Sequence, residues 1–118
     1  MRIVYAEDDA SVRAIFTTLL VSHGVHVHEA HDGGEAIALC RAFQPATVLL
    51  DLEMPNIDGY ECARRIRESA GSAAPRLVAL TGDSSAEARR RAELAGFDEL
   101  LVKPVSARQL IEAIGMSQ

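Results

Sequence analysis

Apolar residues follow two rhythms along this chain. Ile3-Val4-Tyr5-Ala6, Val48-Leu49-Leu50, Leu77-Val78-Ala79-Leu80 and Leu100-Leu101-Val102 are short runs, and Val25 to Ala30 alternates apolar with polar residues. Short runs bounded by turn formers predict strands. After each one, apolar residues recur every three or four positions, which predicts an amphipathic helix. The first such stretch holds Val12, Ile15, Phe16, Leu19 and Leu20, and Gly24 closes it. The second opens at Asp32-Gly-Gly-Glu35 with capping-box spacing, carries Ala36, Leu39, Cys40 and Phe43, and breaks at Gln44-Pro45. The third runs from about Gly59 to Glu68 with Cys62, Ala63 and Ile66 facing in, and a loop, Gly71 to Pro75, follows it. Ser84-x-x-Glu87 caps a fourth helix that ends near Ala95 at Gly96. Ser106-x-x-Gln109 caps a fifth, with Leu110, Ile111 and Ile114 on its apolar face.

Most of the runs are apolar throughout. Strands of that kind belong to a parallel sheet covered on both faces. Five strand–helix repeats then predict an α/β fold, a flavodoxin-like doubly wound (βα)5 sandwich with a parallel five-stranded sheet of order 2-1-3-4-5. His26 and His28, alternating with Val25 and Val27, mark the second strand as one with a wetter face at the sheet edge. With 118 residues and no linker or repeat, the expectation is one domain, 1–118.

Composition narrows the function classes. The formal net charge is −5, and no long basic run exists. This argues against direct nucleic-acid binding, as does the absence of Trp. No apolar run approaches the ~20 residues that span a bilayer, so no membrane role is expected. Cys40 and Cys62 form no Cys-x-x-Cys pair and read as small apolar helix residues of a reducing, cytoplasmic protein.

A parallel sheet delivers the last residue of every strand to one edge, where ligands bind in such folds. The first strand delivers Glu7 and Asp8, the third Asp51, the fourth Thr81 and the fifth Lys103. In the expected order those ends are neighbours, so three carboxylates, a hydroxyl and an ammonium share one shallow cleft. Clustered acids repel, and a divalent cation removes the conflict. Oxygen ligands suit Mg²⁺, with Mn²⁺ able to substitute. Glu7, Asp8 and Asp51 are the expected carboxylate ligands, some through water, and the backbone carbonyl of Glu53 completes the shell. Asp51 is then the nucleophile toward a phosphoryl group, with Lys103 and the Thr81 hydroxyl on the phosphoryl oxygens. Lys103 is the only lysine; every other member of the 12 Lys and Arg residues is arginine. A compact ammonium differs from a guanidinium in reach and hydration, which marks this position. Pro104 follows it, and an X-Pro bond is one that can be cis.

These residues resemble the receiver domain of two-component response regulators, of the CheY-like type, over essentially the whole chain. The likeness rests on Glu7-Asp8, on Asp51 in Leu-Asp-x-x-Met-Pro-x-x-Asp-Gly, on Thr81 after Val-Ala-Leu, and on Lys103-Pro104. It implies that Asp51 accepts phosphate from a phosphohistidine on a sensor histidine kinase or a histidine phosphotransfer protein. Glu7 and Asp8 would hold Mg²⁺, and Thr81 and Lys103 the phosphoryl group. A downstream protein effector would read the face made by the fourth helix, fifth strand and fifth helix, which carries Arg89-Arg90-Arg91, Leu100, Arg108 and Gln109. Such a domain turns over no separate substrate, and is a monomer or a weak phosphorylation-dependent dimer. Leu100 departs from the pattern, since receivers usually carry Tyr or Phe three residues before the lysine. Signalling would then rely on the loop after Thr81.

Other readings compete. An aspartyl-nucleophile phosphatase would want a general acid two residues after Asp51, and Glu53 is there. A degenerate receiver would only dock partners. A flavodoxin-type cofactor site would need a phosphate-cradling loop after the first strand, where Glu7-Asp8-Asp9 would repel phosphate. Glu7, Asp8 and Asp9 also suit a helix N-terminus, and Asp58 reads as a helix cap. His23, His26, His28 and His31 raise a zinc site. Glu53 and Asp83 add negative charge at the mouth of the cleft.

Overall fold

In the computed structural model, which describes residues 1–115, strands and helices alternate strictly. The elements are β1 (Arg2–Ala6), α1 (Ala10–Ser22), β2 (His26–Ala30), α2 (Gly33–Phe43), β3 (Thr47–Asp51), α3 (Gly59–Ala70), β4 (Arg76–Thr81), α4 (Ala86–Ala95), β5 (Glu99–Val102) and α5 (Ala107–Ala113). A short 3₁₀ turn, Gly71–Ala73, follows α3. All strand pairings are parallel, in the order β2-β1-β3-β4-β5. The expected fold class is therefore the observed one. The last three positions of the expected domain lie outside the described residues.

The two-residue period of the strands explains why the runs are apolar throughout. Val4 and Ala6, Val48 and Leu50, and Leu77 and Ala79 enter one core, closed by Ala36 and Ile37 of α2, Cys62, Ala63 and Ile66 of α3, and Ala92 and Ala95 of α4. The residues between them, Ile3 and Tyr5, Leu49, Val78 and Leu80, enter a second core with Leu20 of α1 and Leu110, Ile111 and Ile114 of α5. Each strand thus feeds both sides of the sheet.

The helix ends follow local chemistry. Asp9, Asp32, Asp58 and Ser106 each accept a backbone N–H of the first turn they precede. Ser106 and Gln109 form the expected reciprocal box. Asp32 accepts from Glu35 N, but the Glu35 carboxylate returns to His31 N rather than to the cap residue. Gly96 ends α4 at φ +101°, a conformation that L side chains resist.

Several expectations shift. The cap of α4 is Ser85, not Ser84: Asp83 Oδ1 accepts from Ser85 N and pins that residue, and Ser85 Oγ accepts from Ala88 N. Ile15 is 66% exposed, because α1 presents Phe16, Leu19 and Leu20 to the sheet and Ile15 falls on the flank. Arg13 is buried on that helix instead, drawn in by the Glu7 carbonyl, which accepts from it at 2.6 Å. Phe43 leaves the α2 stripe and Ile37 takes the inward place. The Phe43 ring stacks on His28 at 3.9 Å, so the polar side of β2 is partly covered. β2 is an edge strand, as its alternation implied.

Candidate functional site

The carboxyl ends of β1, β3, β4 and β5 lie side by side because the sheet order makes them neighbours. Asp51 closes β3 with the same parity as Leu49. It lines a cleft of about 440 Å³ together with Glu7, Asp8, Glu53, Lys103 and the apolar side chains of Val12, Phe16, Leu80 and Val105. A second cleft of about 440 Å³, lined by Cys40, Gln44, Ile66 and Pro75 among others, brings no carboxylate cluster together.

Asp51 is 2% exposed. One of its oxygens accepts the Glu53 N–H at 2.8 Å, and the other accepts from Lys103 Nζ at 3.0 Å. One carboxylate oxygen from each of Glu7, Asp8 and Asp51 lies within 4.8 Å of the others. Of the three acids after β1, only Asp9 caps α1, through Ser11 N and Val12 N. Glu7 Oε2 accepts the Asp9 N–H at 3.1 Å, but neither Glu7 nor Asp8 caps a first-turn N–H of α1, and both line the cleft. Burial first, and then the neighbouring Asp51 carboxylate, push the Glu7 carboxyl from its ordinary 4.5 up to about 7. Three converging carboxylates form a hard, oxygen-only donor set, which fits a small divalent cation.

Lys103 enters from the end of β5, where its N–H donates to the Thr81 carbonyl at 2.8 Å. Its bond to Pro104 is cis. Desolvation works against its charge, yet the carboxylates of Asp51 and Glu53 hold its pKa above the ordinary lysine value. Thr81 is buried at the end of β4, and its hydroxyl lies 3.3 Å from Glu53 Oε1. The expected cleft residues therefore meet, with Thr81 joined to the others through Glu53.

The residue that sequence reasoning placed too loosely is Glu53. Its side chain does not merely add charge at the mouth. Oε1 accepts the Gly82 N–H at 2.8 Å as well as the Thr81 hydroxyl, and Oε2 accepts from Lys103 at 3.1 Å. Desolvation opposes ionisation there, but the Gly82 N–H and the Lys103 ammonium together hold its carboxyl below the usual range. A carboxylate so held is a poor proton donor, which removes the general acid the phosphatase reading needs. Gly82 itself was not foreseen. Its only signal is its place directly after Thr81 at a strand end.

The remaining expectations resolve simply. Among the described residues, Glu7, Asp8 and Asp51 are the one group of three or more metal-ligating side chains that converges, and the histidines do not gather into such a group. Burial pushes the Cys40 thiol up to about 11 and the Cys62 thiol up to about 12, which suits apolar packing rather than redox chemistry. Among the described residues no helix is long and apolar enough to cross a membrane.

The model of the response regulator receiver domain family matches residues 3–115. The chain belongs to that family. This receiver domain is 39% identical over 112 residues to the response regulator MprA of Mycobacterium avium, covering 94% of the chain and 48% of that relative. The chain thus spans about half the length of the curated relatives it matches. Among solved structures, chemotaxis protein CheY4 of Vibrio cholerae superposes with TM-score 0.89 at 25% identity, covering 96% of this chain and 94% of that one. The receiver domain of Saccharomyces cerevisiae Ssk1, solved with the phosphotransfer protein Ypd1, gives 0.90 at 27%, covering 97% and 86%. The receiver domain of the Pseudomonas aeruginosa sensor histidine kinase PA1611, with magnesium in its active-site cleft, gives 0.87 at 26%, covering 96% and 93%. Receiver domains of this family are generally signalling modules.

Proposed function

We propose that this receiver domain is the phosphoacceptor of a phosphorelay, with Asp51 as the residue that carries the phosphoryl group. The observation that supports it most is Lys103 Nζ at 3.0 Å from Asp51 Oδ2, beside an acid cluster within 4.8 Å. Mg²⁺ or Mn²⁺ held by Glu7, Asp8, Asp51 and the Glu53 carbonyl would supply charge neutralisation at the phosphoryl oxygens. The chain's own groups do the rest. An Asp51 carboxylate oxygen forms the new bond to phosphorus as the phosphorus–nitrogen bond of a phosphohistidine breaks. The electron pair stays with the imidazole nitrogen, and because the donor ring is protonated on its other nitrogen before transfer, it leaves as neutral imidazole. Lys103 balances charge on one phosphoryl oxygen, and the Thr81 hydroxyl donates to another. Val12, Phe16, Leu80 and Val105 give part of the cleft lining an apolar character.

The donor in this reading is a sensor histidine kinase or a histidine phosphotransfer protein, the kind of protein seen with the Ssk1 receiver domain. The reader is a protein effector at the face of α4, β5 and α5, where Arg89 is exposed beside Leu100, which is half-buried against the α4-side core; Arg91, expected on that face, instead lies over the Tyr60 ring of α3 at 4.0 Å. Leucine at that position leaves the loop after Thr81 as the moving part. A cytoplasmic location, a single domain over 1–118 and a monomer that dimerises weakly when phosphorylated complete the proposal.

Incubation with phosphoramidate, with and without Mg²⁺, tests it. The expected result is at most one phosphoryl group per chain, dependent on the cation, with no sustained turnover of phosphate esters. Rapid multiple turnover on such esters would overturn it in favour of a hydrolase.

A further inference from the structure

The donors assigned to the phosphoryl oxygens are already engaged. The Thr81 hydroxyl and the Lys103 ammonium donate to one carboxylate, that of Glu53, at 3.3 and 3.1 Å, Lys103 sharing itself with Asp51 at 3.0 Å, and the neighbouring Gly82 N–H joins them on Glu53 at 2.8 Å. Oε1 takes the strand-end donors and Oε2 takes the lysine. The anion therefore sits across the seat that a tetrahedral anion on Asp51 would use. Two features show that it occupies this seat without being built into the core. The Glu53 side chain is 51% exposed, so it can turn out to water without unpacking a neighbour. An ion pair open to solvent at one end also contributes little to folding. What the contact governs is access to the donors.

We propose that Glu53 is an internal surrogate for the phosphoryl group: its carboxylate holds Thr81, Gly82 and Lys103 until an incoming phosphoryl group displaces it. Glu53 is in this sense a positioning residue that sets how fast Asp51 is phosphorylated. The proposal rests on the reading of Asp51 as phosphoacceptor. In the resting chain the donors are kept oriented, and the loop after β4 is tied to the loop after β3. On phosphorylation that tie is released and the Glu53 carboxylate moves to solvent.

The test is the initial rate of labelling by phosphoramidate with saturating Mg²⁺, for the whole chain and three variants. Glu53→Gln keeps the size and loses the charge. Glu53→Asp keeps the charge but is one methylene too short to reach Gly82 and Lys103 together. Displacement predicts faster labelling in both, roughly tenfold for Glu53→Gln, the scale of losing one charge-assisted hydrogen bond. The Gly82 amide resonance of the unphosphorylated protein should move in both, while thermal denaturation stays close to the parent. Acceleration in Glu53→Gln alone would reduce the effect to repulsion of an anionic donor and overturn the proposal. Slower labelling in both, or an unmoved Gly82 resonance, would overturn it as well. Asp51→Asn separates the two layers. Labelling that survives there overturns the phosphoacceptor reading itself. Loss of labelling there, with Glu53 variants that behave as the parent, overturns only the surrogate.

Discussion

At the scale of single residues, the acid cluster decides the behaviour of the resting protein. Glu7 is buried against Asp51, and its carboxyl titrates near 7 rather than at 4.5. The folded state thus holds a proton more tightly than the unfolded chain. Its stability contribution is full below about pH 4.5 and is lost as pH rises toward about 7. Thermal denaturation in chelator should show that decline, and Glu7→Gln should flatten it relative to the parent. Divalent cation should flatten it too, since it favours the ionised cluster, and Glu7→Gln should bind Mg²⁺ at least about tenfold more weakly. A variant with the parent's slope would show that Glu7 carries no such burden. The acids were legible at this scale, because a strand end followed by acids is a sequence pattern. The engagement of Glu53 with Gly82 was not, since it depends on how two loops meet.

At the scale of elements, the loop from Asp51 to Asp58 must close tightly over the start of α3. A Cβ on Gly59 would stand 2.6 Å from Leu52 Cδ2 and 2.9 Å from Leu52 Cα. The second atom is backbone and cannot step aside. Gly59→Ala should therefore destabilise the fold by about 1–3 kcal/mol, measured by urea denaturation, and slow Asp51 labelling by shifting the loop. Parent-like stability would mean the loop yields freely. Helix and strand order were readable from periodicity, and three of the N-caps, Asp32, Asp58 and Ser106, from single residues. Two of the errors share one cause. Ile15 and Phe43 are apolar and in rhythm, but a helix against a sheet buries only a narrow sector, and the flank goes to solvent. Ser84 and Ser85 are equivalent in sequence until Asp83 bonds to the second.

At the scale of the whole molecule, the doubly wound sheet does the assembling. Residues 7, 51, 81 and 103 are far apart in the chain and meet because the strand order sets their ends side by side. That much followed from five apolar runs and a topology rule. The same sheet links the site to the α4–β5–α5 face, since Lys103 N bonds Thr81 O across β4 and β5. The central claim, that Asp51 carries phosphate, has a direct chemical signature. An aspartyl phosphate is an acyl phosphate, which borohydride reduces to homoserine. After reaction with phosphoramidate and Mg²⁺, then borohydride, peptide mass mapping should place homoserine at position 51 in proportion to the phosphoryl uptake. Homoserine at another acid, or phosphoryl uptake with Asp51 intact, would contradict the account.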